Sequence, residues 1–163
     1  MSRTLRGLAR RGRDARGQSL VEAAIVLPLL LLLTFATFDF AAIFYVYLAL
    51  ENGVSQAARY GVTGQQMNDP NNPGNLLSPA QSIEAAMRQA TPTLTLPDAD
   101  FTFSHMTPGS NTWTAGAGGP SDIDKVAVSY TWNIMTPLMR PFFPGGQVTL
   151  RVESAMKNEP RFN

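Results

Sequence analysis

Glu22 and Asp39 are the two carboxylates that border or interrupt the most apolar part of this chain. Ala23 to Phe38 is a run of sixteen residues without a charge, and beyond Asp39 the sequence stays apolar to Leu50. An acid at the centre of a bilayer helix costs about 2.5 to 3.5 kcal/mol, and less near the surface, so a carboxylate at the mouth of such a run asks for a partner. Seventeen residues separate the two acids, roughly 25 Å along a helix. That distance leaves Asp39 two settings. It faces outer headgroups if the span starts near Ser19, or it lies inside the bilayer against another helix or water if the span is shifted outward. Charge pairing with a neighbour is the chemistry this spacing offers.

Other constellations offer less. His105 is the sole histidine and follows Ser104, but adjacent strand residues point to opposite faces, so they form no nucleophile and base pair. Ala115-Gly116-Ala117-Gly118-Gly119-Pro120 lacks the lysine and the spacing of a phosphate loop and reads as a flexible connection. Asp98 and Asp100, and Asp122 and Asp124, are acidic pairs that could offer oxygen ligands to calcium. Without a twelve-residue loop pattern, solvated turn acids are the default. With no cysteine and one histidine, thiolate chemistry and Cys/His metal sites are excluded. Neither an enzyme, a cofactor, a metal nor a small-molecule substrate is expected.

The elements that position Glu22 and Asp39 begin with charge. Arg3, Arg6, Arg10, Arg11, Arg13 and Arg16 against Asp14 give residues 1–17 a net +5, which leaves −4 for the rest of a chain whose total is +1. Positive charge massed before an apolar span stays on the cytoplasmic side, which sends the C-terminal part outward. An arginine-rich leader could serve nucleic-acid binding, but no aromatic or helix-turn-helix pattern accompanies it, and no nucleic-acid partner is expected. A secretory signal would have a shorter apolar region and a small-residue cleavage site. Thr34-Phe35-Ala36 supplies only a weak one, so retention as a single-pass anchor is the expectation.

A helix over Ala23 to Leu50 would reach roughly 42 Å, more than the ~30 Å hydrocarbon core, so its distal end protrudes. Tyr45 and Tyr47 suit the outer interface. Pro28 removes one backbone donor in the first third of the span and favours a kink. After it, Met67 to Asn75 is turn chemistry, and Ser78-Pro79-Ala80-Gln81 carries the signature of a helix start, with Ile83, Ala86, Met87 and Ala90 on one face. Period-two alternation marks strands at Val126–Trp132 and Val148–Val152, with shorter candidates at Thr93–Leu96 and Phe101–Phe103. The apolar segment Leu138 to Pro144 either caps the core or forms an exposed docking patch. The expected fold class is α+β: a long N-terminal transmembrane helix, a short helix and a small antiparallel sheet. Its expected divisions are 1–17 leader, 18–61 helix, 62–77 linker and 78–163 exported domain.

Gly17-Gln18-Ser19-Leu20-Val21-Glu22, the apolar run with Pro28, Phe38-Asp39-Phe40 and Gln56-Ala57-Ala58-Arg59-Tyr60-Gly61 together resemble the TadE-like family of tight-adherence, or Flp-type, pilus systems. The resemblance covers residues 16 to about 61, and beyond that only the pilin-like architecture is similar. It implies cleavage between Gly17 and Gln18 by a membrane prepilin peptidase, which would remove the +5 leader and make Glu22 the fifth residue of the mature chain. It also implies that the new α-amino group and Glu22 of neighbouring subunits pair in an apolar bundle. The implied partners are the membrane, the peptidase, other pilins or pseudopilins and pilus-assembly proteins. The implied location is the bacterial inner membrane, or a surface pilus. Because the exported domain is large, the resemblance points to a minor pilin or pseudopilin rather than the main filament subunit. The alternative is an uncleaved membrane-anchored interaction protein of an envelope complex.

Overall fold

The computed structural model describes residues 5–160, with side chains from Gly17 onward; the arginines of residues 1–16, read above as part of a basic leader, therefore lie outside the described side chains. Helix α1 (Leu5–Val62) is followed by α2 (Pro79–Ala90), then β1 (Phe101–Met106), β2 (Thr114–Ala115), β3 (Ile123–Asn133) and β4 (Gln147–Lys157). The strands form one antiparallel sheet in the order β2-β1-β3-β4. This is the α+β architecture that the sequence patterning predicts. The chain divides into two compact units. One comprises the helix up to Ala41 with Ile134–Gly146, and the other Ala42–Asn133 with the segment from Gln147 onward.

In the larger unit the core is built from spacing. Val46, Leu50, Val54 and Ala57 recur at three- and four-residue intervals and put one face of α1 inward, where all four are buried. Ile83 and Met87 do the same from α2, and Phe101, Val126, Val128 and Val152 complete the cluster from the sheet. On β4 the alternation is clean: Val148, Leu150 and Val152 turn inward, and Gln147, Thr149, Arg151 and Glu153 turn to solvent. Gly53 allows α1 to approach the end of α2, because a Cβ there would stand 2.6 Å from the Thr91 methyl.

The start of α2 is the capping box that its sequence announces. Ser78 accepts from the Gln81 N–H, and the Gln81 side chain accepts from the Ser78 N–H. Its other end holds Arg88, which pairs with Glu84 and with Asp98, donates from Nε to the Leu96 carbonyl at 2.9 Å, and lies 5.3 Å over the Phe101 ring. Residues Thr93–Leu96, expected as a strand, form a turn instead. Leu94 donates back to the Thr91 carbonyl, the Leu96 carbonyl is taken by Arg88, and Pro92 and Pro97 offer no donors, so the segment has no ladder to join. Leu96 is nonetheless buried in the core.

Glu84 is buried beside this cluster. Burial first, and then the charge of Asp98, push its carboxyl above the ordinary value of 4.5, against the opposing pull of Arg88. The folded state thus holds the Glu84 proton more tightly than the unfolded state does. Its contribution favours folding at low pH and is lost as pH rises from the ordinary carboxylate value through the raised one. Glu84→Gln is expected to flatten that part of the pH profile. Unfolding curves of both proteins in detergent, taken on either side of the carboxylate range, check this, and parallel profiles would remove Glu84 as its source.

Met67–Asn75, the turn-rich stretch of the expected 62–77 linker, is closed by hydrogen bonds with its flanks. Asn68 bridges Leu76, Leu77 donates to the Met67 carbonyl at 2.8 Å, and the Asp69 carboxylate accepts from the Asn71 N–H and the Asn72 side chain, both at 2.8 Å. These bonds hold the Asp69 carboxyl below the usual range, the Asn72 side chain contributing most. The glycine-rich stretch read as a flexible connection is pinned as well. Gly118 and Gly119 donate to Asp124 at 2.7 Å and to Asp122 at 2.8 Å, and the Asn158 amide bonds both the Gly119 carbonyl and Asp124 at 3.0 Å. A Cβ on Gly118 would stand 2.5 Å from Asp124 and 2.7 Å from the His105 Cβ, so glycine is required there. Asp122 and Asp124 are therefore backbone-binding acids, not solvated turn acids.

Candidate assembly site on the apolar helix

From Gly17 to Val62, α1 is long and apolar enough to cross a membrane. Leu20, Ile25, Leu27, Leu30, Leu33 and Phe38 are all exposed, so the helix is apolar around its whole circumference. A helix of that kind takes lipid or other apolar helices as its surroundings. Two of its hydroxyls are turned back onto it: Thr34 donates to the Leu30 carbonyl at 2.8 Å and Thr37 to the Leu33 carbonyl at 2.9 Å. Pro28 sits inside the same continuous helix, where its missing donor leaves one carbonyl of the preceding turn unbonded by the backbone ladder.

At the proximal end, Gly17, Gln18 and Glu22 are all exposed. A Cβ added to Gly17 would meet nothing within 4 Å. Glycine within a helix is less favourable than alanine by about 0.8 to 1.0 kcal/mol, and no packing among the described residues calls for it.

Asp39 is placed quite differently from Glu22. It is only 3 % exposed, and its Oδ1 accepts from the backbone N–H of Met135 at 3.1 Å and of Thr136 at 3.3 Å. Its Oδ2 is buried and makes no hydrogen bond among the described residues. The two settings that the sequence offers this acid are headgroups and a neighbouring helix or water. The structure gives it backbone amides of its own chain, almost a hundred residues away.

The segment so held, Ile134–Gly146, connects β3 to β4 by way of two 3₁₀ turns, Arg140–Phe142 and Pro144–Gly146. Ile134 donates to the Gly146 carbonyl at 3.0 Å and closes the segment at its base, while Arg140 Nε donates to the Ile134 carbonyl at 3.1 Å. Ile134 and Met139 are buried, whereas Met135, Leu138 and Phe142 are exposed. The apolar loop thus divides its side chains between burial and exposure. No sequence signal linked Asp39 to Met135 and Thr136, because the bonding groups are main-chain amides that every residue except proline carries.

Among the described residues, no group of three or more His, Cys, Asp or Glu side chains is placed to hold a metal. His105 lies in β1, with Nδ1 3.0 Å from the Gly116 carbonyl. A cavity of about 140 Å³ is lined by Gly61, Gly64, Pro79, Ile83, Ala117, Gly118 and Asp124. Asp124, its one ionisable lining residue, is already bonded to Gly118 and Asn158.

No curated protein and no solved structure matches the chain. A family model does, and its limits coincide with the apolar helix, from the exposed Gly17 through Glu22, Pro28 and Asp39 to Arg59. Over residues 17–59, this chain matches the family described as TadE-like protein.

Proposed function

We propose that the chain is a non-enzymatic, membrane-anchored component of a tight-adherence pilus or its envelope machinery, of the minor pilin or pseudopilin type. The TadE-like match associates it with that system. The observation that carries the finer reading is the exposed pair at the start of the apolar stretch, a glycine that no packing among the described residues needs and a carboxylate five residues later. In this reading Gly17 and Gln18 flank the bond cut by a prepilin peptidase, and Glu22 pairs with the new terminal amine of a neighbouring subunit. The leader stays cytoplasmic and the sheet-bearing part is exported. Asp39, whose Oδ1 is already engaged by its own chain, is the weaker candidate for pairing between subunits.

The second reading, an uncleaved anchor in an envelope complex, is favoured by one observation: α1 runs without a break across Gly17 and Gln18. A peptidase would have to open the helix at that point. Glycine makes such opening easiest.

Co-expression with a prepilin peptidase followed by N-terminal sequencing separates the two. The expected product begins at Gln18, and Gly17→Val is expected to block its formation. A terminus at Met1 or Ser2 in the presence of active peptidase would reject the pilin-type reading. Glu22→Ala is expected to be inserted and cut as usual but to lose assembly with its partners, and normal assembly by that variant would remove the pairing role.

A further inference from the structure

We propose that Ile134–Gly146 is a second membrane-contacting element, which lays Met135, Leu138 and Phe142 into the outer leaflet at the level of Asp39 and takes lipid as its occupant. The inference rests on the reading of α1 as a membrane span. Three observations carry it.

The first is depth. The segment is fixed to α1 at Asp39, through the Met135 and Thr136 amides. Asp39 lies about 25 Å along the helix from Glu22, against a hydrocarbon core of ~30 Å. With Glu22 at the inner boundary, the attached segment meets the outer edge of the hydrocarbon.

The second is the state of its backbone. A backbone N–H or C=O group that loses water at the membrane costs free energy unless it finds another partner, so a segment at the hydrocarbon edge gains from internal hydrogen bonds. Of the thirteen residues from Ile134 to Gly146, Pro137, Pro141 and Pro144 have no N–H, and eight of the other ten donate within the same unit. Six of those eight go to carbonyls of the segment itself and two to Asp39.

The third is the surface. Met135 is 64 % exposed, Leu138 47 % and Phe142 65 %, and on the helix the residues flanking Asp39, Phe38 and Phe40, are exposed as well. The segment contains no acid. Its one charge, Arg140, is exposed, and a long cationic side chain at this level can place its head among lipid phosphates while its stem stays in apolar surroundings.

The test uses the absence of cysteine from the chain. Single cysteines in the full chain, Phe142→Cys, Leu138→Cys and, as a mid-span reference, Leu31→Cys, are labelled with an environment-sensitive fluorophore. The proteins are reconstituted at low protein-to-lipid ratio in phosphatidylcholine and phosphatidylglycerol vesicles. Quenching by nitroxide-bearing lipid is compared with quenching by aqueous iodide. The expected result is lipid quenching at Phe142 and Leu138, with iodide quenching several-fold below that of free dye. Iodide access at Phe142 together with lipid quenching at Leu31 would overturn the loop insertion and leave the span standing. Iodide access at Leu31 would overturn the span and the inference with it. Shielding of Phe142 from both quenchers would mean a protein occupant, and would also overturn the proposal. Asp39→Ala is expected to return the Phe142 label to iodide, and an unchanged lipid signal would reject Asp39 as the anchor.

Discussion

Replacing Leu50 with alanine is expected to lower the unfolding free energy of the full chain in detergent by about 2 to 5 kcal/mol, the range for truncating a buried leucine. Leu50 is completely buried in α1, one turn from Val46 and one from Val54, in the cluster that includes Met87, Val128 and Val152. The loss combines the transfer of the removed methyl and methylene groups with the cavity left behind. That cavity is hard to close, because Gly53 already brings the α1 backbone against Thr91 at the end of α2. Phe44→Ala, an exposed apolar substitution on the same helix, supplies the contrast and is expected to change stability far less. Denaturant unfolding of the three proteins in one detergent checks both statements. Equal stabilities for wild type and Leu50→Ala would mean that the distal half of α1 is not part of the folded core.

Asp39→Ala should have the second large effect, and a more local one. It deletes the acceptor of two main-chain donors at a site only 3 % exposed, and each donor left unsatisfied there costs about 1 to 3 kcal/mol. Hydrogen exchange at the Met135 and Thr136 amides reads this directly. At about 1.4 kcal/mol per factor of ten, both are expected to exchange at least about fivefold faster. Asp39→Asn keeps a carbonyl oxygen at the Oδ1 position and should preserve most of the protection. If the asparagine variant exchanged as fast as the alanine variant, hydrogen bonding to Oδ1 would not be what holds the segment.

What the sequence disclosed and what it hid follow from the range of the interactions. The α2 capping box is written within four consecutive residues, and β3 and β4 carry alternating side chains along their own length, so both were readable without tertiary information. Thr93–Leu96 shows the limit of the same reasoning. Its alternation is that of a strand, but the Leu96 carbonyl is claimed by an arginine from another element. The two-residue β2 carries no pattern at all and exists only because Ser104 and His105 lie beside it. Asp122 and Asp124 looked like solvated acids because their partners are the amides of glycines, which no side-chain motif announces. Asp39 is the extreme case, with a carboxylate's partners set by a loop far along the chain. Gly17 and Glu22 stood out for the opposite reason. Both are exposed, and a Cβ on Gly17 would meet nothing within 4 Å, so no packing seen among the described residues accounts for a glycine there.

The clasp of Gly118, Gly119, Asp122, Asp124 and Asn158 ties residues near the end of the chain to a turn thirty-four to thirty-nine positions earlier. In many exported proteins of this size, a covalent sulfur bridge performs that task. Here it is done with amides and carboxylates, in a chain without a single thiol. The closure therefore needs no oxidant, no disulfide-forming catalyst and no isomerase to correct a wrong pairing. The same fold can form on either side of a redox boundary, and a reductant that dismantles bridged neighbours would leave it untouched.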